Sequence, residues 1–136
     1  MHDVYIPKFA VYVYKLALKT SSSGGKGISD PSTFLTISLT NGDGVTCAVN
    51  ITSIIYDNSL MSWGGNSIAG CYGYGMPNHE VTTLRIEVTN GDIDPWSGEY
   101  VEVEMNDGVK VRFADAVDLP TAAGDDFVVL SNGASV

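Results

Sequence analysis

The chain has 136 residues, 16 acidic against seven basic side chains and a net charge of −9. That balance disfavours nucleic acid, because phosphate binding runs on Lys and Arg releasing counterions, and it opposes anionic lipid headgroups unless cations bridge them. A single domain of this length, residues 1–136, buries roughly two-thirds of its unfolded surface without a metal or a disulfide. Glycine is abundant, which suits strands and turns better than helices, and no apolar run is long enough for a helical membrane span.

The start, Met1–Phe9, has no basic segment followed by an apolar one, so no signal peptide is visible. The sequence is compatible with a mature or excised domain; localisation stays open, with a secreted or extracellular setting favoured. Phe9–Leu18 reads as a strand with apolar residues on both faces, hence covered on two sides. A polar Gly/Ser loop over Thr20–Asp30 follows and ends at Pro31. Phe34–Leu39 and Val45–Ile51 alternate with period two and are joined by Asn41-Gly42-Asp43-Gly44, a strong hairpin signal. Ile54–Tyr56 continues that strand or forms a separate short one. Asp57–Glu80 loses the pattern and is unusually long for a connection, a length that commonly carries function or short structure of its own. A strand around Ser67–Tyr72 is expected inside it.

Residues 84–113 speak most clearly. Leu84, Ile86 and Val88 alternate with Arg85, Glu87 and Thr89; Val101 and Val103 with Glu102 and Glu104; Val109, Val111 and Phe113 with Lys110 and Arg112. Asn106-Asp107-Gly108 supplies the turn between the last two. Phe127–Leu130 reads as a final strand and Ser131–Val136 as a frayed tail. No segment has a helical period. The run Leu35–Asp43 echoes Leu84–Asp92, which strands ending in Asn-Gly explain without a duplication. About eight short strands with frequent turns predict an all-β, antiparallel β-sandwich.

Chemistry-bearing groups are few. Cys47 alternates with Val45, Val49 and Ile51, and Cys71 lies in a glycine-rich stretch; the residues leave open whether they are bridged, and they lack the spacing of a zinc site. Asn90, Asp92 and Asp94 place oxygen-bearing side chains at alternate positions of one loop. That pattern serves calcium, which wants six to eight oxygens, and equally serves a turn through αL tolerance and local hydrogen bonds. Leu60, Met61 and Trp63 fall in a Gly/Ser-rich segment with no charge nearby. They form either an exposed apolar loop tip, a wedge for lipid or a platform for a sugar or protein, or a loop folded back into the core. Tyr72 and Tyr74 would extend such a surface, and Trp96 after Pro95 is either an anchoring indole or a ligand contact. The chain is expected not to be an enzyme: His2 and His79 are its only histidines, no catalytic signature occurs, and Glu102 with Glu104 reads as a solvated strand face. Asn50-Ile51-Thr52 fits the N-glycosylation acceptor, a short motif with many chance occurrences.

The order of these features resembles the PLAT (lipoxygenase-homology) β-sandwich family. Its pattern "I-x-H-D-N-x-G-x-x-P-x-W", then "V-x-V", a turn and "y-x-F", is matched here by Ile86, Asn90, Pro95 and Trp96, then Val101 and Val103, then Val111 and Phe113. In the first half, Leu18 and Thr20, Asp30, then Leu35, Ile37 and Leu39 and Gly42-Asp43-Gly44 follow the family order. The sequence departs from it with Val88-Thr89 in place of His-Asp, with Val117 and Asp118 where a further Trp is usual, and with Asp30 about two residues too far from its strand. The resemblance covers most of Lys8–Leu119 and is specific in 84–113. It implies a binding or targeting module that docks to a lipid surface or a protein partner through loops at one end. Leu60, Met61 and Trp63 would insert, while Asn90, Asp92, Asp94 and Asp30 would hold calcium bridging to phosphates. Two other readings stand beside it: a carbohydrate-binding module stacking sugars on Trp63, Tyr72 and Tyr74, and a structural or assembly protein whose long loop and terminal strand contact other subunits.

Overall fold

The computed structural model describes residues 11–22, 27–42, 44, 46–76 and 80–136. His2, His79, the start of the expected first strand at Phe9 and Ala10, and Asp43 and Val45 of the first hairpin lie outside them. Among the described residues ten strands follow one another: β1 (Val13–Thr20), β2 (Phe34–Thr40), β3 (Thr46–Ile51), β4 (Leu60–Gly64), β5 (Thr83–Thr89), β6 (Trp96–Met105), β7 (Lys110–Phe113), β8 (Val117–Leu119), β9 (Phe127–Ser131) and β10 (Ala134–Ser135). They form two antiparallel sheets. One is six-stranded, in the order β10-β7-β6-β1-β4 with β8 also on β6; the other is four-stranded, β3-β2-β5-β9.

Alternation decides which side chains meet between the sheets. In β2 and β5 the inward residues pair directly, Leu35 with Val88, Ile37 with Ile86 and Leu39 with Leu84, and all six are buried. That neighbourhood accounts for the echo between the two runs, since adjacent antiparallel strands with the same core face need the same alternation. Across the core, β1 and β6 contribute Leu16, Leu18, Val101 and Val103. Each such side chain contributes about 1.5–3 kcal/mol by leaving water.

Four sequence expectations change. The first strand is not covered on both sides: a register irregularity between Val13 and Lys15 sends Val13 and Leu16 both inward and leaves Tyr14 exposed, as a bulge shifts the side-chain parity. The strand expected at Ser67–Tyr72 is a 3₁₀ turn over Gly65–Ile68 followed by further turns, with Gly65 and Gly73 at φ +56° and +79°. The tail is not wholly frayed, because Ala134 and Ser135 pair with Arg112 and Val111. Finally, Leu60–Gly64 is strand β4, laid along β1 from Lys15 to Lys19. Cys47 and Cys71 are bridged, with Cα atoms 5.2 Å apart, so the edge strand β3 is tied to the turn that follows the 3₁₀ segment.

Candidate functional site

Three loops converge where β1 ends and β6 begins. Residues 27–33 and 52–58 are joined by an isolated bridge in which Ile28 and Ile55 exchange backbone hydrogen bonds of 2.7 and 2.9 Å. The amide of Gly27 donates to the Asp57 carboxylate. Gly27 is required there, since a Cβ would sit 1.8 Å from the Ile55 carbonyl oxygen. The third loop, 90–95, is held to the first by Asp94, whose Oδ2 accepts the amides of Ser29 and Asp30 at 2.8 and 2.9 Å. Asn90, at φ +60°, donates from Nδ2 to the Ser32 carbonyl at 2.8 Å, and its own carbonyl accepts the Thr33 hydroxyl at 2.9 Å.

Trp96 underpins this end. It is fully buried, and its Nε1–H donates to Thr20 Oγ1 at 3.1 Å, so it anchors the loops and is closed to a ligand in this conformation. Gly98 lies beneath its ring, where a Cβ would approach the indole to 2.1 Å.

Between the loops runs an open cleft of about 600 Å³, lined by Gly27, Ser29, Ile54, Ile55, Tyr56, Asp57 and Asp94. Ile54 and Tyr56, which line it, stand 50% and 63% exposed, and Ile93, next in sequence to the lining Asp94, is 58% exposed. None of these three was singled out by the sequence. Because Ile55 makes the bridge to Ile28 and points inward, its neighbours Ile54 and Tyr56 point outward, which the apolar run Ile54–Tyr56 alone does not reveal.

The residues expected at the tip lie elsewhere. Met61 and Trp63 pair across from Leu18 and Leu16, share their inward direction and pack against the core; Trp63 Nε1–H donates to Ser53 Oγ at 3.2 Å. Leu60 is exposed, but on the outer face of the six-stranded sheet beside Ala17 and Tyr100. An exposed loop tip of Leu60, Met61 and Trp63 therefore does not form, because β1 recruits the segment as an edge strand. Tyr72 belongs to the opposite end, where its ring meets Tyr12 and Tyr14 at 6.1 Å each, and Tyr74 packs against the core.

The oxygen-bearing residues act here as turn formers. Asp30 Oδ1 accepts the Ser32 hydroxyl and amide at 2.6 and 2.8 Å, and these bonds, the hydroxyl first, hold its carboxyl below the ordinary carboxylate range. Asp94 serves two amides, Asn90 fills an αL position and Asp92 is exposed. Among the described residues no group of three or more His, Cys, Asp or Glu side chains is placed to hold a metal ion.

No family model matches the sequence, and no curated protein matches it either. Solved structures do match the fold. A LOX variant in complex with arachidonate aligns with a TM-score of 0.63 and 12% identity over 90% of this chain and 16% of that one. The aligned part of these enzymes is their PLAT β-sandwich. The chain has the PLAT fold. A second match is a calcium-dependent 11R-lipoxygenase, with a TM-score of 0.58 and 14% identity over 88% of this chain and 17% of that one. The chain thus spans about a sixth of the length of these relatives, and the shared PLAT sandwich carries none of their remaining length.

Proposed function

We propose that this PLAT-type sandwich is a non-catalytic docking module that rests its loop end on a zwitterionic lipid surface, with Ile54, Tyr56 and Ile93 entering the interface. The observation behind it is that the converging, cross-braced loops of an acidic protein each leave large apolar side chains exposed, Ile54 and Tyr56 on one and Ile93 on another. Asp57 and Asp94 are the carboxylates that line the cleft, and both accept backbone amides, so they serve to hold the loops together. The calcium-dependence in the name of one matched lipoxygenase makes a bridging cation the natural rival for this end. With Asp30 and Asp94 engaged by backbone donors, the reading rests on apolar contact and not on a cation.

Full burial of a side chain of this size contributes about 1.5–3 kcal/mol, so three that are roughly half exposed add about 3–4 kcal/mol before any loss of motion. That supports weak, reversible docking, weaker than the roughly 5.5 kcal/mol of a single myristoyl chain. The test is co-sedimentation with phosphatidylcholine vesicles, with and without phosphatidylserine and calcium. The expected outcome is binding to the neutral vesicles, weakened by phosphatidylserine, indifferent to calcium, and abolished in Ile54→Ser/Tyr56→Ser/Ile93→Ser. Binding that needs both phosphatidylserine and calcium, binding that the triple variant retains, or no vesicle binding at all would each reject the reading; the last would favour a protein partner at the same loops.

A further inference from the structure

We infer that strand β9 is a self-complementary docking edge, and that two copies of the chain pair through it, antiparallel and centred on Val129, to make one continuous eight-stranded sheet. Among the described residues β9 is the terminal strand of the four-stranded sheet and pairs only with β5. Its sequence, Phe127-Val128-Val129-Leu130-Ser131, holds no charge and no proline, and its register with β5 runs from Glu87–Phe127 to Thr83–Ser131 without a bulge. Natural edge strands are normally blunted by one of those three devices. Phe127 and Val129 are 41% and 54% exposed on its outward face.

The hydrogen-bond phase fixes which groups are open. The amide of Val88 donates to the Asp126 carbonyl at 2.8 Å, so Asp126, Val128 and Leu130 turn their backbone groups toward β5. Phe127, Val129 and Ser131 therefore turn theirs outward, toward the open edge. A second β9 laid antiparallel with Val129 opposite Val129 brings these open groups together, with Phe127 facing Ser131 of the other copy on both sides of the axis. That ladder supplies about six hydrogen bonds from groups the fold leaves open.

Charge picks a second copy as the occupant. A chain of net charge −9 repels itself over most of its surface, yet the outer face of this sheet carries one acid, Glu87, and Arg85 neutralises it at 3.1 Å while lying over Phe127. In the Val129-centred register the acids that precede β9, Asp125 and Asp126, fall opposite Gly133 and Asn132 and not opposite each other. The two Asp126 residues stand roughly 20 Å apart along the strands, beyond the Debye length of physiological salt. Since the other side of β9 is taken by β5, the pairing closes at two copies and does not propagate as a fibre.

Light scattering of the whole chain across about 10 µM to about 1 mM, the range suited to an interface of this small size, should show the mass rising from 14.4 kDa toward twice that value. Val129→Lys sets like charges opposite each other at the axis and should abolish the rise while leaving the melting curve of the monomer intact. Val129→Cys should cross-link on oxidation, because Cα atoms in such a pair lie about 5.5 Å apart, within disulfide reach. Phe127→Cys should not, its counterpart being roughly 14 Å away. A wild-type mass that stays at 14.4 kDa throughout, a dimer that survives Val129→Lys, or equal cross-linking at both positions would overturn the inference. The wild-type measurement decides even if a variant fails to fold.

Discussion

Trp96 and Thr20 offer a direct measure of how firmly the loop end is founded. Both are buried, and the indole N–H donates to the threonine hydroxyl at 3.1 Å. Trp96→Phe leaves a void of roughly 40 Å³, about 1 kcal/mol at the usual cavity cost, and strips the Thr20 hydroxyl of a donor for a further 1–3 kcal/mol, so about 2–4 kcal/mol in all. Thr20→Val keeps the shape of the strand residue but orphans the indole N–H, again at about 1–3 kcal/mol. The double variant removes both polar partners and should cost little more than the void. Urea denaturation of the four proteins closes the cycle. We expect the double variant to be more stable than the sum of the singles by about 2–6 kcal/mol, the two orphaning penalties it escapes, with unchanged denaturant slope. Additivity within about 0.5 kcal/mol would refute the idea that this bond braces the end of the sandwich.

Replacing Cys47 and Cys71 by serine should lower stability by about 3.5 kcal/mol, the loop-closure estimate for a separation of 24 residues, read as a drop in the urea midpoint. Tryptophan emission should not shift when the protein meets phosphatidylcholine vesicles, since Trp96 is buried and Trp63 faces the core. For the same reason Trp63→Phe should dock as wild type does; a blue shift on binding would point back to Trp63 insertion. The Asp30 carboxyl is held below its ordinary value of 3.8 by Ser32, so its contribution is fully present above that value and is lost as pH falls through the lower folded value. Melting temperatures of wild type and Asp30→Asn should accordingly differ at neutral pH and converge as the pH drops below 3.8.

The fold was most legible where local and tertiary demands agree. In Thr83–Thr89 and Lys110–Phe113 each alternating apolar residue is also a core residue, and no competing pattern exists. It was least legible where a partner strand overrides a poor local signal. Leu60–Gly64 ends in Ser-Trp-Gly and looks like loop, yet five residues of β1 hold it as a strand. Ser67–Tyr72 looked extended, but Gly70 backs onto the Ala48 carbonyl, where a Cβ would come within 2.0 Å, and the chain turns there instead. The candidate site fared similarly. Asn90 and Asp94 were found from their spacing and Asp30 through the family resemblance, and they lie on loops that do meet, with Asn90 and Asp94 as the braces. Ile54, Tyr56 and Ile93 escaped notice because their outward direction follows from one inward neighbour and from loop closure, neither of which shows as a period.

The disulfide gives the sandwich unequal flanks. It clamps the side on which β3 and β4 are the edges, whereas on the other side, where β8 lies against β9, the chain passes from β9 through Asn132 and Gly133 to β10 with Gly133 packed on Phe113 and no cross-link. Thermal opening should then behave like a book with a stitched spine. In the dilute monomer, amide exchange would begin at β9 and β10 and travel inward, sparing β3 until global unfolding. A molecule built this way keeps its bridged flank rigid while its free margin breathes.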